Sequence, residues 1–305
     1  MKKQSEIPTE AIKGFLRTQS EIGVTIRLPA VAGSFYPSSP TALREQVQAF
    51  IESAPLVETE DRLIGLIAPH AGYVYSGHVA GHAYRQLQGR SYDTVILLGL
   101  SHRFPVQGVA IYAKGAFRTP LGEVKIDEEL AADIMKHNPQ IEDVPAAHAH
   151  EHSLEVHLPF LQVALPDFRI VPLLLQDDSP GNTMALAEAI AKATDDKAVL
   201  LVGSTDLCHY PTYEEAKRAD AVVVETVAHF DAALLRREMD AYMRTHRAHD
   251  LHCMMCSTGA IYATMDAAKR MKATRIQVLK AANSGDVPIG RREQVVGYMA
   301  AAIYG

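Results

Sequence analysis

The sequence predicts an α/β protein of one domain, with a central mixed, mostly parallel sheet covered by helices on both faces. Three observations lead there. Apolar runs rich in β-branched residues alternate along the chain with segments of helical periodicity, the pattern of βαβ units. The runs are hydrophobic almost throughout, as strands buried on both faces are. No Pro/Gly/Ser-rich linker and no internal repeat divides the 305 residues, so a single core is the simpler account.

Residues 1–25 are polar and of mixed charge, and read as a tail or a loosely attached segment; the domain is expected to span 26–305. Strands are expected at 63–68, 94–100, 106–112, 169–175, 198–202, 275–280 and 295–303. Helices are expected at 40–52, 77–88, 127–136, 154–165, 182–193, 213–227, 232–243 and 257–271.

Lysine and arginine number 30 against 36 aspartates and glutamates, and the formal charge of -6 is spread without long like-charge runs. Such a chain has no electrostatic footprint for nucleic acid or anionic lipid. No apolar run approaches the roughly 20 residues that cross a bilayer. The first residues lack the apolar stretch of a secretory signal, so a cytoplasmic location is expected. Three cysteines do not make a disulfide framework.

The chemistry concentrates where strands end. The 63–68 run leads through Pro69 into His70, and the 94–100 run leads through Ser101 into His102, so two imidazoles leave the sheet at equivalent places. The carboxyl edge of an α/β sheet is where ligands bind, and two such histidines can share one metal. A third run, near 200, ends in Ser204-Thr205-Asp206-Leu207-Cys208-His209. An imidazole titrates near neutrality and a carboxylate beside it can hold its tautomer. His209, oriented by Asp206, is therefore the candidate proton carrier.

Cys253 and Cys256 stand just before the 257–271 helix. The pair is compatible with half of a structural zinc site, with a redox disulfide, or with one thiolate ligating alongside the strand-end histidines. Sequence does not rank Cys253 against Cys256. The run His148-Ala149-His150-Glu151-His152-Ser153-Leu154-Glu155-Val156-His157 holds four histidines and two glutamates in ten residues. From it His152, Glu155 and His157 are expected behind the metal or against a substrate. The turn at 33–37 offers Phe35, and the segment 73–77 offers Tyr75, as walls of a pocket; Ser76 suits the cap of the following helix. No Walker, dinucleotide-binding or nucleophile-elbow motif is present.

These segments, GSFYP, IAPHAGYVYSG, LGLSH, FRTPLGEV, EHSLEVHLPFL, STDLCHY and CSTGAI, follow in the order seen in the MEMO family. The chain resembles that family, also called AmmeMemoRadiSam system protein B, from about Arg27 to its C-terminus. The resemblance implies a fold like that of class III extradiol dioxygenases, non-haem iron enzymes that open catechol rings with O₂. It places metal ligands at His70, His102 and Cys256, with Asp206 and His209 lining the cleft and Phe35 and Tyr75 nearby. His209 falls where those dioxygenases carry their acid/base histidine. A thiolate replaces their carboxylate ligand, softening the site toward copper or zinc as well as iron, and Ser257 stands where the family usually has glycine.

Two functions are compatible with this pattern. One is a metal-dependent, dioxygenase-like oxidoreductase using a divalent ion, Fe(II) foremost, with copper or zinc as alternatives. The other is a non-catalytic module that binds a peptide or small molecule and acts through a protein partner. The resemblance also suggests radical-SAM and AMMECR-type proteins as partners in a shared pathway.

Overall fold

The structure, a computed structural model, describes residues 25–195, 197–246 and 250–305. The segment expected to form a tail falls, apart from Thr25, outside the described residues. The described chain begins with β1 (Ile26–Arg27), α1 (Pro40–Glu52), β2 (Leu63–Ala68), α2 (Tyr73–Arg85), β3 (Thr94–Leu100) and β4 (Val109–Ile111). A hairpin of β5 (Ala116–Thr119) and β6 (Gly122–Lys125) precedes α3 (Glu128–His137), β7 (Ile141–Asp143) and the short α4 (Pro145–His148). A 3₁₀ turn, Glu155–His157, runs into α5 (Leu158–Ala164), followed by β8 (Arg169–Leu175), α6 (Pro180–Ala193) and β9 (Val199–Ser204). The last elements are α7 (Tyr213–Ala228), α8 (Ala232–Thr245), α9 (Thr258–Arg270), β10 (Arg275–Asn283) and β11 (Gly297–Tyr304).

One sheet of eight strands, in the order β10-β11-β2-β9-β3-β8-β4-β7, organises the molecule. Its centre, β2, β9, β3 and β8, is parallel throughout. β10 and β11 close one side antiparallel, and β4 returns antiparallel to β8 before β7 joins it in parallel. The mixed, mostly parallel sheet expected from the sequence is present, with helices on both faces.

Successive strand residues point to opposite faces, and the two resulting cores show it. Ile67, Ile96 and Leu98 pack with residues of α3, α6, α7, α8 and α9. Leu66, Ala68, Val95 and Leu97 pack on the other side with α1, α2 and α5. Helix starts follow ordinary capping: the Asp127 carboxylate accepts from Leu130 N–H at 3.1 Å, and Asp231 accepts from Ala233 and Leu234 at 2.9 Å.

Several boundaries differ from expectation for local reasons. The strand expected at 106–112 shrinks to Val109–Ile111 because Gly108 turns the chain with a φ of 65°. The helix expected from 154 is split, since Pro159 sits in the first turn of α5 and cannot continue the preceding 3₁₀ turn. α2 begins four residues before the expected position, at Tyr73, so Ser76 is no cap; its hydroxyl donates back to Ala71 O at 3.0 Å. β1, β5 and β6 form a separate three-stranded sheet that the hydrophobic pattern did not announce.

Parallel register aligns the strand ends that matter. Ala68 of β2 pairs with Ser204 of β9, and β9 is flanked on its other side by β3. Residues 70, 102 and 206 therefore emerge side by side from three adjacent strands.

α1 and α2 approach closely because α2 carries glycine at the crossing. A Cβ on Gly81 would stand 2.3 Å from the Phe50 carbonyl oxygen, a backbone atom that cannot swing aside. Gly81→Ala gains about 1 kcal/mol of helix propensity but forces overpacking worth about 1–3 kcal/mol or more. A net loss of stability is expected, read as a lower midpoint in urea unfolding.

Candidate metal centre

The junction after β2 buries His70 to 1% exposure. Its Nδ1 lies 2.8 Å from Ser204 Oγ, and that hydroxyl donates its own proton to Ser153 O at 2.6 Å. Ser204 can then only accept, so Nδ1 carries a hydrogen and Nε2 is the atom left to meet a metal. Burial disfavours the imidazolium, but the negative charge of Cys256 and Asp206 outweighs it and raises the His70 pKa.

His102 follows β3 and is oriented the same way by a carboxylate. Its Nδ1 is 2.9 Å from Glu151 Oε1, while its backbone N–H donates to Oε2 at 2.6 Å. Glu151 is 3% exposed and also accepts from the N–H groups of His152 and Ser153, each at 2.8 Å. Burial would raise its pKa; the bond to His102 and these N–H groups prevail and hold it at about 2. His102 responds in the opposite direction. Burial opposes its charge, yet bonds to Cys256 and Glu151 lift it to about 9.

Among the described residues, one set of three potential ligands has its ligating atoms within 4.8 Å of one another: His70, His102 and His152. The His102 and His152 rings stack at 4.5 Å, and His70 meets both edge-on. Burial and the neighbouring His70 push His152 down to about 3, leaving it neutral with a lone pair to offer.

Cys256 approaches the same pair. Its Sγ lies 3.3 Å from His70 Nε2 and accepts from the Asp206 N–H at 3.2 Å. Burial would raise the thiol, but His70 and His102 dominate and bring it well below its ordinary range, which favours the thiolate. Cys253 faces elsewhere: its sulfur is 3.6 Å from His209 Nδ1, and burial with nearby negative charge pushes it up to about 12. The two cysteines that sequence left unranked are thereby distinguished by position and ionisation.

The donors suit a divalent transition metal. Imidazoles with one nitrogen tied to a carboxylate or hydroxyl, beside a thiolate, are the groups that bind such ions.

Other expectations are corrected. Asp206 does not orient His209: its Oδ1 accepts from His70 N–H at 2.9 Å, while His209 Nδ1 donates to Leu207 O at 3.0 Å. Burial raises the Asp206 pKa against the pull of His70. Glu155 and His157, expected behind the metal or against a substrate, are turned into the interior by the 3₁₀ turn. Glu155 binds Arg27, the Ala30 and Val31 N–H groups and the Tyr36 hydroxyl. His157 Nδ1 meets the Tyr84 hydroxyl at 2.7 Å, and burial pushes it down to about 3. His152, by contrast, joins the cluster itself, with Phe35 packed edge-on against it at 4.9 Å. Tyr75 is half-buried on α2 beside Tyr298.

Glu151 is the site residue that sequence reasoning misses, although a carboxylate set between the imidazoles of His150 and His152 is the residue able to orient a ring.

Glu151→Ala is expected to weaken metal affinity about 10- to 100-fold, measured by competition with a chelating dye. Glu155→Ala should instead strand the buried Arg27 charge and cost about 3–5 kcal/mol of stability, read by chemical unfolding. A second expectation concerns pH. His102 is protonated at neutrality in the metal-free chain, and a metal must displace that proton. Affinity should rise about tenfold per pH unit for each proton displaced, levelling off above the His102 value of about 9. Folding follows the opposite sign: stability from charged His102 is complete below its ordinary range and lost as pH rises through about 9.

A sequence profile described as Memo-like protein matches residues 27–302. A MEMO1 family protein of Methanopyrus kandleri is 38% identical over 285 residues, covering 90% of this chain and 97% of that protein. One from Methanothermobacter thermautotrophicus is 37% identical over 284 residues, with 90% and 98% covered. An uncharacterized protein of Escherichia coli K12 superposes with a TM-score of 0.50 at 12% identity, over 78% of this chain and 99% of that one; this likeness concerns the fold alone. On the profile match and the identities to its archaeal relatives, the chain belongs to the Memo-like protein family.

Proposed function

We propose that the chain binds a divalent metal at His70, His102 and Cys256, Fe(II) foremost, and serves an oxygen-dependent oxidation of a small molecule or peptide. The observation that supports this best is the convergence of two oriented imidazoles and a thiolate, with a third, neutral imidazole stacked beside them. Copper or zinc would accept the same donors. When bound, a redox-active ion in an incompletely ligated site supplies positions for O₂ and substrate and a route for electrons between them.

The chain's own residues do the rest. Ser204 and Glu151 aim His70 and His102 through their Nδ1 atoms, so little reorganisation is needed for metal binding. His152 stands where it would either complete the ligand set or meet a substrate, and Phe35 excludes water from its edge. Asp206 steadies the His70 backbone and the Cys256 sulfur. His209 keeps Nδ1 on the Leu207 carbonyl, which leaves Nε2 to take or give a proton. Tyr75 is assigned to the outer wall. Among the described residues no helix is long and apolar enough to cross a membrane; a cytoplasmic setting, with radical-SAM and AMMECR-type proteins as pathway partners, is part of the proposal.

The test is anaerobic Fe(II) loading followed by a survey of catechols and other reducing substrates for O₂ uptake. His70→Ala and Cys256→Ala should lose the metal. His209→Ala should retain it and lose about 10²- to 10⁴-fold in turnover. Absence of O₂ uptake with every substrate, in protein shown to hold iron, would sink the catalytic reading in favour of a binding module.

A further inference from the structure

Asp206 was expected to orient His209 and is occupied with His70 instead. A different carboxylate stands behind His209. Asp220, on α7, is 7% exposed, and its Oδ1 accepts from the Cys208 N–H at 3.1 Å. The Leu207 carbonyl accepts from His209 Nδ1 at 3.0 Å. These two hydrogen bonds use opposite ends of one peptide group, because the carbonyl of residue 207 and the N–H of residue 208 belong to the same amide. We propose that Asp220 is the positioning carboxylate of His209 and acts on it across the Leu207–Cys208 peptide. The proposal rests on the reading of His209 as a proton carrier and adds what holds its ring.

A trans peptide is planar and points its N–H and C=O in opposite directions. An anion at the N–H end therefore lies in line with a donor at the oxygen end. Hydrogen bonds in such a chain polarise one another: negative charge on Asp220 draws the N–H proton, moves electron density to the Leu207 oxygen and makes it a stronger acceptor. The stronger acceptor favours the ring tautomer with hydrogen on Nδ1.

The surroundings are built for this contact. A Cβ on Gly297 would stand 2.0 Å from Asp220 Oδ2, so only glycine at the start of β11 lets the carboxylate reach the loop. Gly297 also donates to Cys208 O at 2.9 Å and accepts from Leu207 N–H at 2.7 Å, fixing the intervening peptide from its other sides. His209 N–H donates to Cys253 O, so the ring is anchored at backbone and Nδ1 alike. The titratable groups facing Asp220 are the Cys208 thiol, hydrogen-bonded to it, and the Cys253 thiol across the loop. Burial raises both thiols, so neither charges near neutrality. Burial also lifts Asp220 to about 7 against its bonds to Cys208, which places its own charge change in an accessible range.

Nitrogen NMR of the purified full chain, labelled at histidine and followed with pH, tests the arrangement without any turnover, so it stands or falls apart from the catalytic reading. In the wild type the His209 ring should hold the Nδ1–H tautomer. Its signals should show an extra inflection near pH 7, at the pH where the Asp220 carboxyl carbon titrates. Asp220→Asn keeps an oxygen for the Cys208 N–H but removes the charge. That variant should lose the extra inflection and gain several-fold in the Nε2–H tautomer at high pH. Unchanged tautomer ratios and an unchanged curve in the folded variant overturn the proposal. Should the variant not fold, the wild type still decides: a His209 curve that ignores the Asp220 titration overturns it equally.

Discussion

The site depends on one buried carboxylate. Glu151 receives N–H groups from His102, His152 and Ser153 and holds the His102 ring as well. Those donors come from a strand end and from a loop far along the chain, so a single side chain fixes the distance between them. An anion buried to this depth survives only because each of its oxygens is met by a donor. Remove any of those donors and the carboxylate becomes costly; remove the carboxylate and two imidazoles lose their bearings together.

Glu151 is itself held from behind. The Arg27 guanidinium reaches the His148 and Glu151 carbonyl oxygens and pairs with Glu155, which in turn gathers the N–H groups of Ala30 and Val31 and the Tyr36 hydroxyl. β1 is only two residues long, yet this network ties it to the histidine-rich loop. Ser153 adds a second tether, donating to Leu100 O at 2.7 Å while its own carbonyl accepts from Ser204. The loop is thus pinned against the ends of β3 and β9, which is where ligating groups must not drift.

The parts of this arrangement legible in the sequence are those governed by local pattern. A buried run followed at once by Pro-His or Ser-His says that a side chain leaves the sheet, and parallel pairing does the rest, so His70 and His102 were found. The β1-β5-β6 sheet was not, because its strands are two to four residues long and pair across some ninety residues of chain. Glu151, Glu155 and His157 show the same limit more sharply. All three lie in one polar run, and nothing local says which face a 3₁₀ turn will bury. His209 illustrates the reverse error: Asp206 was the nearer carboxylate in sequence, but geometry gives it to His70, and Asp220 comes from a helix that begins beyond the loop.

The two borders of the large sheet bear on how the molecule behaves in a crowd. β7 is three residues long and carries Glu142 and Asp143 exposed, while β10 is broken by a register shift between Val278 and Lys280. A short acidic rim and a kinked one with a lysine are both poor templates for a strand from another copy. Ribbon-like growth is discouraged at each margin, and a chain whose interior strands are almost wholly apolar is kept from stacking onto itself.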